Sequence, residues 1–428
     1  MKLRNTAMVI LLAVSGCLST TTETDLGNTA ASSGGGTQGA STAASTSSSS
    51  STATGATSSS SSTATSSSSS TSSTATSSSG TTGSTSSSTT SSSSSSGSAG
   101  SGFADVAASI APARNFSASV VADGNVVLAG GLGATYASIP SGEPTYGDVK
   151  TCPVDTLDSC AFPTTASLLH PRFAHVMVAT AAGIWSIGGS VADGSGGQNP
   201  SSEIELAPGG DFGSSYVAAT TLAVPRTFAS GATASTSAGT VVYVAGGLDA
   251  TFAARADLES ALVDASGVLG SFAISGALSE QRSSPAAVVV GSCLFITGGN
   301  GGSSQAPGTW DSFHIDPSSG ALTTAASGPM HAPRTGHAAV AVGNELFLLG
   351  GSPEWDPNFG PLDSVDAYSV DASTCGLTYE STPYTLPEAR WASTLLVIPS
   401  ANGVRAYLVS GEKAPDTLVG SVAAGQLP

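Results

Sequence analysis

One segment recurs six times along this chain, and the recurrence leaves few folds open to it. In the clearest copy, Pro333 to Gly351, residues His337 to Val342 form a run of small and β-branched residues. Gly343-Asn344 supplies the positive φ of a two-residue hairpin turn, and Glu345 to Gly351 returns as an apolar strand closed by two glycines. An isolated hairpin is marginal in water. Here an arginine opens every copy, at Arg114, Arg172, Arg226, Arg282, Arg334 and Arg390, at intervals of 52 to 58 residues. Glycine pairs follow at Gly130-Gly131, Gly188-Gly189, Gly246-Gly247, Gly298-Gly299 and Gly350-Gly351, with Ser410-Gly411 in the last copy. Arginine and first glycine lie 16 residues apart in four copies and 20 in the third and sixth, whose hairpin turns are longer. A period in the mid-fifties marks an architecture whose units bury their faces only against one another.

Each glycine pair is followed by a polar loop and a third strand, at Ser202 to Ala207, Asp257 to Asp264, Ser312 to Asp316 and Asp366 to Asp371. A turn rich in Gly, Ser and Asp then leads to a fourth strand and the next arginine. The R-x-x-H openings at Arg172-His175 and Arg334-His337, the strand-ending glycines, and Phe313 and Tyr368 after them resemble the kelch family. The likeness covers roughly 102–428, and the later tryptophan of the family pattern is mostly missing. It implies an all-β chain folded as a six-bladed β-propeller with four antiparallel strands per blade. The last unit is one strand short: Thr417 to Gln426 reads as its third strand, after which the chain ends. Phe103 to Arg114 reads as a fourth strand with no unit before it. The expectation is that this N-terminal strand completes the last blade and closes the ring, removing exposed edges.

Residues 1–17 stand apart from the fold. Lys2 and Arg4 precede an apolar run, Ala7 to Val14, too short to span a bilayer. Val14 to Cys17 resembles the lipobox of bacterial lipoproteins, which implies cleavage before Cys17 and acylation of its thiol, palmitate being one such chain. Each buried CH₂ contributes roughly 0.8 kcal/mol to such an anchor. With no Asp after the cysteine, the outer membrane of the cell envelope is the favoured address, by analogy with enteric bacteria. Residues 18–101 are almost all Ser, Thr, Ala and Gly, with Glu23 and Asp25 their only charges. Such a linker lacks the apolar groups that would offset ordering, so it reads as a disordered tether reaching about 50 Å, or as a glycosylated stalk.

The net charge of −17 argues against nucleic acid and anionic membrane surfaces as partners. With Cys17 set aside, four cysteines remain, and an exported chain favours bridges. Cys152 and Cys160 flank a short step in the first blade. Cys293 after an inner turn and Cys375 in an outer turn fall on the same side of adjacent blades. Pairings 152–160 and 293–375 are expected, and the absence of a CxxC spacing argues against metal on these thiols.

Six of the twelve basic residues are the repeat arginines. All precede an innermost strand, so a ring of them around one channel mouth is expected. Guanidinium forks there would suit an anion or carboxylate ligand, or would hold backbone carbonyls and acidic side chains between blades. The loops after the glycine pairs share that mouth and carry Tyr136, Tyr146, Phe252, Trp310, Trp355 and Phe359, joined by Trp391 beside Arg390. Together they would form a platform for stacking sugars or gripping a peptide, or would pack beneath their own loops. His175 and His337 sit on opposite blades, which disfavours a shared metal, and no cofactor motif is present. Nothing matches the Tyr–His–Cys copper set of galactose oxidase, a kelch enzyme. The sequence therefore favours a lipid-anchored, monomeric, non-catalytic module that recognises or scaffolds a glycan or protein. The alternative is an enzyme acting on an acidic sugar, as sialate mutarotases with kelch propellers do.

Overall fold

The computed structural model describes residues 102–428, except 134–143, 193–197, 210–214, 302–305, 307, 355–359 and 415–416, together with Leu11–Leu12 and Thr20–Thr21. Six antiparallel sheets of four principal strands form the six blades of a β-propeller. Blade five shows the pattern. Its strands Ala338–Val342 and Glu345–Leu349 are the inner hairpin, and Val365–Asp371 and Gly376–Glu380 complete it outward. Ala338 faces Leu349 and Val342 faces Glu345, so Gly343-Asn344 is the two-residue turn. Gly343 has φ of 58° there, a conformation that glycine adopts without a Cβ penalty.

The inner strands are mostly Ala, Val, Ser and Gly because blades converge toward the axis, with Leu395, Leu396 and Ile398 of blade six as larger exceptions. Larger side chains fill the wedges further out. Between blades four and five, Val288, Phe295, Leu346, Leu348 and Tyr368 are all buried in one cluster. Equivalent clusters fill the remaining wedges, and the cluster between blades five and six contains Phe103 from the N-terminal strand.

Closure is as the sequence implies. The last sheet runs Thr394–Ser400, Gly403–Val409, Ser421–Leu427 and then Ala104–Ser109 from the other end of the chain. Ala104 faces Ala424 and Val106 faces Val422. The third strand of this blade begins at Ser421, because Thr417–Leu418 instead pairs with Glu412–Ala414 in a separate ribbon. The two-residue strands Leu11–Leu12 and Thr20–Thr21 pair with each other and register against Val121 and Val289 on the inner strands of blades one and four.

Both expected disulfides are present. Cys152–Cys160 closes an eight-residue step that contains a short 3₁₀ helix, Val154–Ser159. Cys293–Cys375 ties blade four to blade five across 82 residues, with Cα atoms 5.5 Å apart.

Candidate functional site

The residues richest in chemistry are used inside the fold. In every blade the second glycine's N–H donates to the carbonyl of the next blade's arginine, at 2.8 to 3.0 Å. The pairs run Gly131 to Arg172, Gly189 to Arg226, Gly247 to Arg282, Gly299 to Arg334 and Gly351 to Arg390, then Gly411 to Arg114 across the closure. The first glycine holds positive φ, and a Cβ on Gly130, Gly246 or Gly298 would run into that same carbonyl. The glycine pair is therefore the contact surface of one blade for the next.

Each guanidinium then turns back into its own blade. Nη1 donates to the first glycine's carbonyl at 2.8 to 2.9 Å in blades one to five. The partner carboxylates stand on the third strand: Asp148 at 2.6 Å from Arg114, Glu259 at 2.7 Å from Arg226, Asp311 at 2.7 Å from Arg282, Asp366 at 2.8 Å from Arg334, and Glu205 paired with Arg172. In blade six the carboxylate comes from the N-terminal strand, Asp105 at 3.1 Å from Arg390. Glu205 and Glu259 also accept two backbone N–H groups each from the residues just ahead of the arginine, Leu169 and His170 for one and Ala223 and Val224 for the other.

All six arginines are at most 1% exposed. Burial pulls the Arg172, Arg282, Arg334 and Arg390 guanidiniums below their ordinary value, and the facing carboxylates oppose that pull. Burial pushes the Asp148 carboxyl up, but Arg114 and Lys150 outweigh it and hold the group below the ordinary range. Each arginine is thus engaged in the fold, its carbonyl with the neighbouring blade and its buried guanidinium within its own.

Two residues past each arginine, the chain takes positive φ at Phe116, Ala174, Phe228, Ser284, Gly336 and Ala392. Their amides form a closed circle, each N–H donating to the carbonyl one blade back at 2.7 to 3.2 Å. Above half of this circle, Phe116, Phe173, Phe228 and Trp391 interlock. Phe116 meets the Phe228 and Trp391 rings edge-on at 4.9 Å. Trp391 is 2% exposed, so it packs among these aromatics instead of standing at the surface.

Trp310 also differs from expectation. It lies on the strand Thr309–Ile315, not in a loop, and is buried against Phe295 with Nε1 donating to the Pro329 carbonyl at 3.2 Å. Tyr146 covers Arg114, whose guanidinium carbon is 4.2 Å from the ring centre. Tyr136, Trp355, Phe359 and Cys17 lie outside the described residues.

His175 and His337 are buried between blades, and burial together with the neighbouring Arg172 and Arg334 holds both well below the ordinary imidazole value. His337 Nε2 meets Thr297 Oγ1 at 2.9 Å. The residue matching Thr297 in blade one is Ala129, and neither ring nitrogen of His175 has a hydrogen-bond partner among the described residues.

Phe252 is different in kind. It occupies the loop after Gly246-Gly247, is 53% exposed, and has φ of 59°. Bulky residues rarely hold positive φ. Phe116, Phe162 and Phe228 do so too, yet each is buried, where packing offsets the strain. The turn carrying Phe252 is rigid. Asp249 Oδ1 accepts the N–H of Thr251, the hydroxyl of Thr251 and the N–H of Ala253. Those hydrogen bonds hold the Asp249 carboxyl below its ordinary value. Arg255 bridges Asp249 and Asp257. The same blade repeats this turn at its other end, where Asp264 Oδ1 accepts from Ser266 N–H, Ser266 hydroxyl and Val268 N–H. There the position of Phe252 is taken by Gly267, with φ of 83°. Two turns of one design thus differ at the strained residue, and the one beside the channel mouth displays an aromatic ring.

No protein-family model matches the sequence, and no curated protein does. Among solved structures, YjhT superposes with a TM-score of 0.56 at 11% identity, over 74% of this chain and 99% of its own. The likeness is one of fold. In all, 238 solved chains match, so the architecture alone names no activity.

Proposed function

We propose that this chain is a membrane-anchored, extracytoplasmic recognition or scaffolding module that grips a glycan or protein through the loops after its glycine pairs, with Phe252 as an anchor. The observation that carries the reading is the exposed ring held at positive φ on a hydrogen-bonded turn. The fold gains little net from it, since strain offsets the burial of the ring's covered part, and Gly267 serves the equivalent turn without strain. A rigid, preorganised aromatic is the kind of group that dominates binding energy at an interface. Strain that packing does not repay points to a role outside the fold.

A non-catalytic role fits the fate of the other groups. The repeat guanidiniums are enclosed within their own blades, and His175 and His337 between blades, so these eight groups are all buried away from solvent. An acidic sugar would therefore find none of the six repeat guanidiniums at the mouth. Anchoring rests on the Val14 to Cys17 motif and the Ser/Thr-rich linker. No helix among the described residues is long and apolar enough to cross a membrane.

Screening the 102–428 fragment against immobilised glycans and against envelope proteins tests the reading. A hit should weaken at least tenfold with Phe252→Ala while the fold is retained. A hit indifferent to that change removes Phe252 from the site. Cys17→Ser, which should release the chain from membranes and abolish labelling by palmitate, tests the anchor separately.

A further inference from the structure

We infer that the Cys293–Cys375 bridge covers a latent metal site: once reduced, the two thiolates and His314 hold a zinc-class cation. Three places far apart in sequence supply the ligands. Cys293 opens the second strand of blade four, and His314 stands directly opposite it on the third strand. Cys375 comes from the third-to-fourth-strand turn of blade five and reaches across the blade joint. The ligand atoms all lie within 4.8 Å of one another, and His314 Nδ1 is 3.1 Å from Cys375 Sγ. Two sulfurs and an imidazole nitrogen are the donors a tetrahedral zinc ion takes, leaving its fourth position to water.

The site is enclosed but has a way in. Both cysteines are fully buried, whereas His314 is half-buried and borders solvent. The Cys152–Cys160 bridge has no histidine in such a cluster among the described residues. The cluster of His170, Glu203 and Glu205 is a poorer candidate, because the Arg172 guanidinium already sits on both carboxylates. No CxxC spacing announces the 293–314–375 set, since its members meet only when two blades pack.

The chemistry needs a two-electron reductant. A dithiol would break the S–S bond, give up two electrons and two protons, and leave as its own cyclic disulfide. The two thiols formed on the protein lose their protons as the cation binds, and the neutral imidazole donates its Nδ1 lone pair. The oxidised blade joint is thereby exchanged for a metal-bound one.

The test uses the full chain reduced with a phosphine, which takes oxygen from water and leaves as the phosphine oxide while the water's two protons go to the thiols, and Co²⁺ as the spectroscopic probe. Reduced protein should take up one Co²⁺ per chain, with thiolate-to-cobalt charge transfer and the visible bands of tetrahedral cobalt, while oxidised protein takes up none. His314→Ala should weaken binding by at least roughly tenfold. Cys152→Ser with Cys160→Ser should leave it unchanged. Cobalt bands missing from the reduced chain, equal binding by His314→Ala, or loss of the bands in the 152/160 variant would each overturn the proposal. Should reduction unfold the chain, Zn²⁺ must restore its far-ultraviolet circular dichroism. If it fails to, the site does not exist.

Discussion

Replacing Phe252 separates a displayed residue from a packed one by magnitude alone. A buried phenylalanine truncated to a small residue costs about 3–5 kcal/mol. At Phe252 three smaller effects compete. Changing it to glycine relieves left-handed strain of roughly 1–2 kcal/mol. It forfeits the burial of the ring's covered part, which is under half since 53% is exposed, on the order of 1 kcal/mol. It also adds unfolded-state freedom worth about 0.5–1 kcal/mol. The sum is close to zero, so Phe252→Gly should unfold within about 1 kcal/mol of the parent in urea. Phe252→Ala keeps the strain and loses the ring, and should fall roughly 1 kcal/mol below Phe252→Gly. Gly267→Ala, in the matching turn, should cost a similar amount. A loss of 3 kcal/mol or more for Phe252→Gly would show that the ring holds the fold, and the display argument would fail.

Three further expectations follow from the blade joints. Gly298→Ala drives a Cβ into the Arg334 carbonyl and imposes positive φ on alanine, so denaturation should show a loss of several kcal/mol, on the scale of other left-handed and overpacked sites. Ala129→Thr should place a hydroxyl beside His175 as Thr297 does for His337, raising stability by about 1 kcal/mol; no gain would mean His175 is already satisfied. His175 and His337 stay neutral in the fold but protonate when unfolded below about pH 6.5. Their folded values are depressed, so stability is complete above that pH and declines below it, by about 1.4 kcal/mol per pH unit for each histidine until its folded value is reached. Unfolding below about pH 6.5 should therefore take up protons at these residues, at most one each, and replacing both with glutamine should flatten that part of the profile.

The blades were legible because the repeat carries its own punctuation. Glycine pairs end the second strands at nearly fixed distances from the arginines, and alternating apolar runs do the rest. The orphan strand at Phe103 and the shortened last unit likewise gave away the closure. The role of the arginines was not legible. An anion ring and a set of blade joints use the same residue at the same place, and only burial separates them. A signal was available in the carboxylates. Asp148, Glu205, Glu259 and Asp311 each follow their arginine by 29 to 34 residues, as an internal partner must. The aromatic rim misled because sequence marks where a loop begins more clearly than where it ends. Trp310 belongs to the strand after its loop, and Trp391 packs on Phe116 from another part of the chain. Phe252 stood out only once its backbone angle could be set beside that of Gly267.

The central claim is that six equivalent joints, each a glycine amide on the next blade's arginine carbonyl, form a circle stitched shut by the two ends of the chain. Amide hydrogen exchange at Gly131, Gly189, Gly247, Gly299, Gly351 and Gly411, followed by NMR, tests it directly. Gly411, which donates to Arg114 across the closure at 3.0 Å, should be protected to the same degree as the other five. Rapid exchange at Gly411 with slow exchange elsewhere would mean an open array, and the account of the closed ring would be wrong.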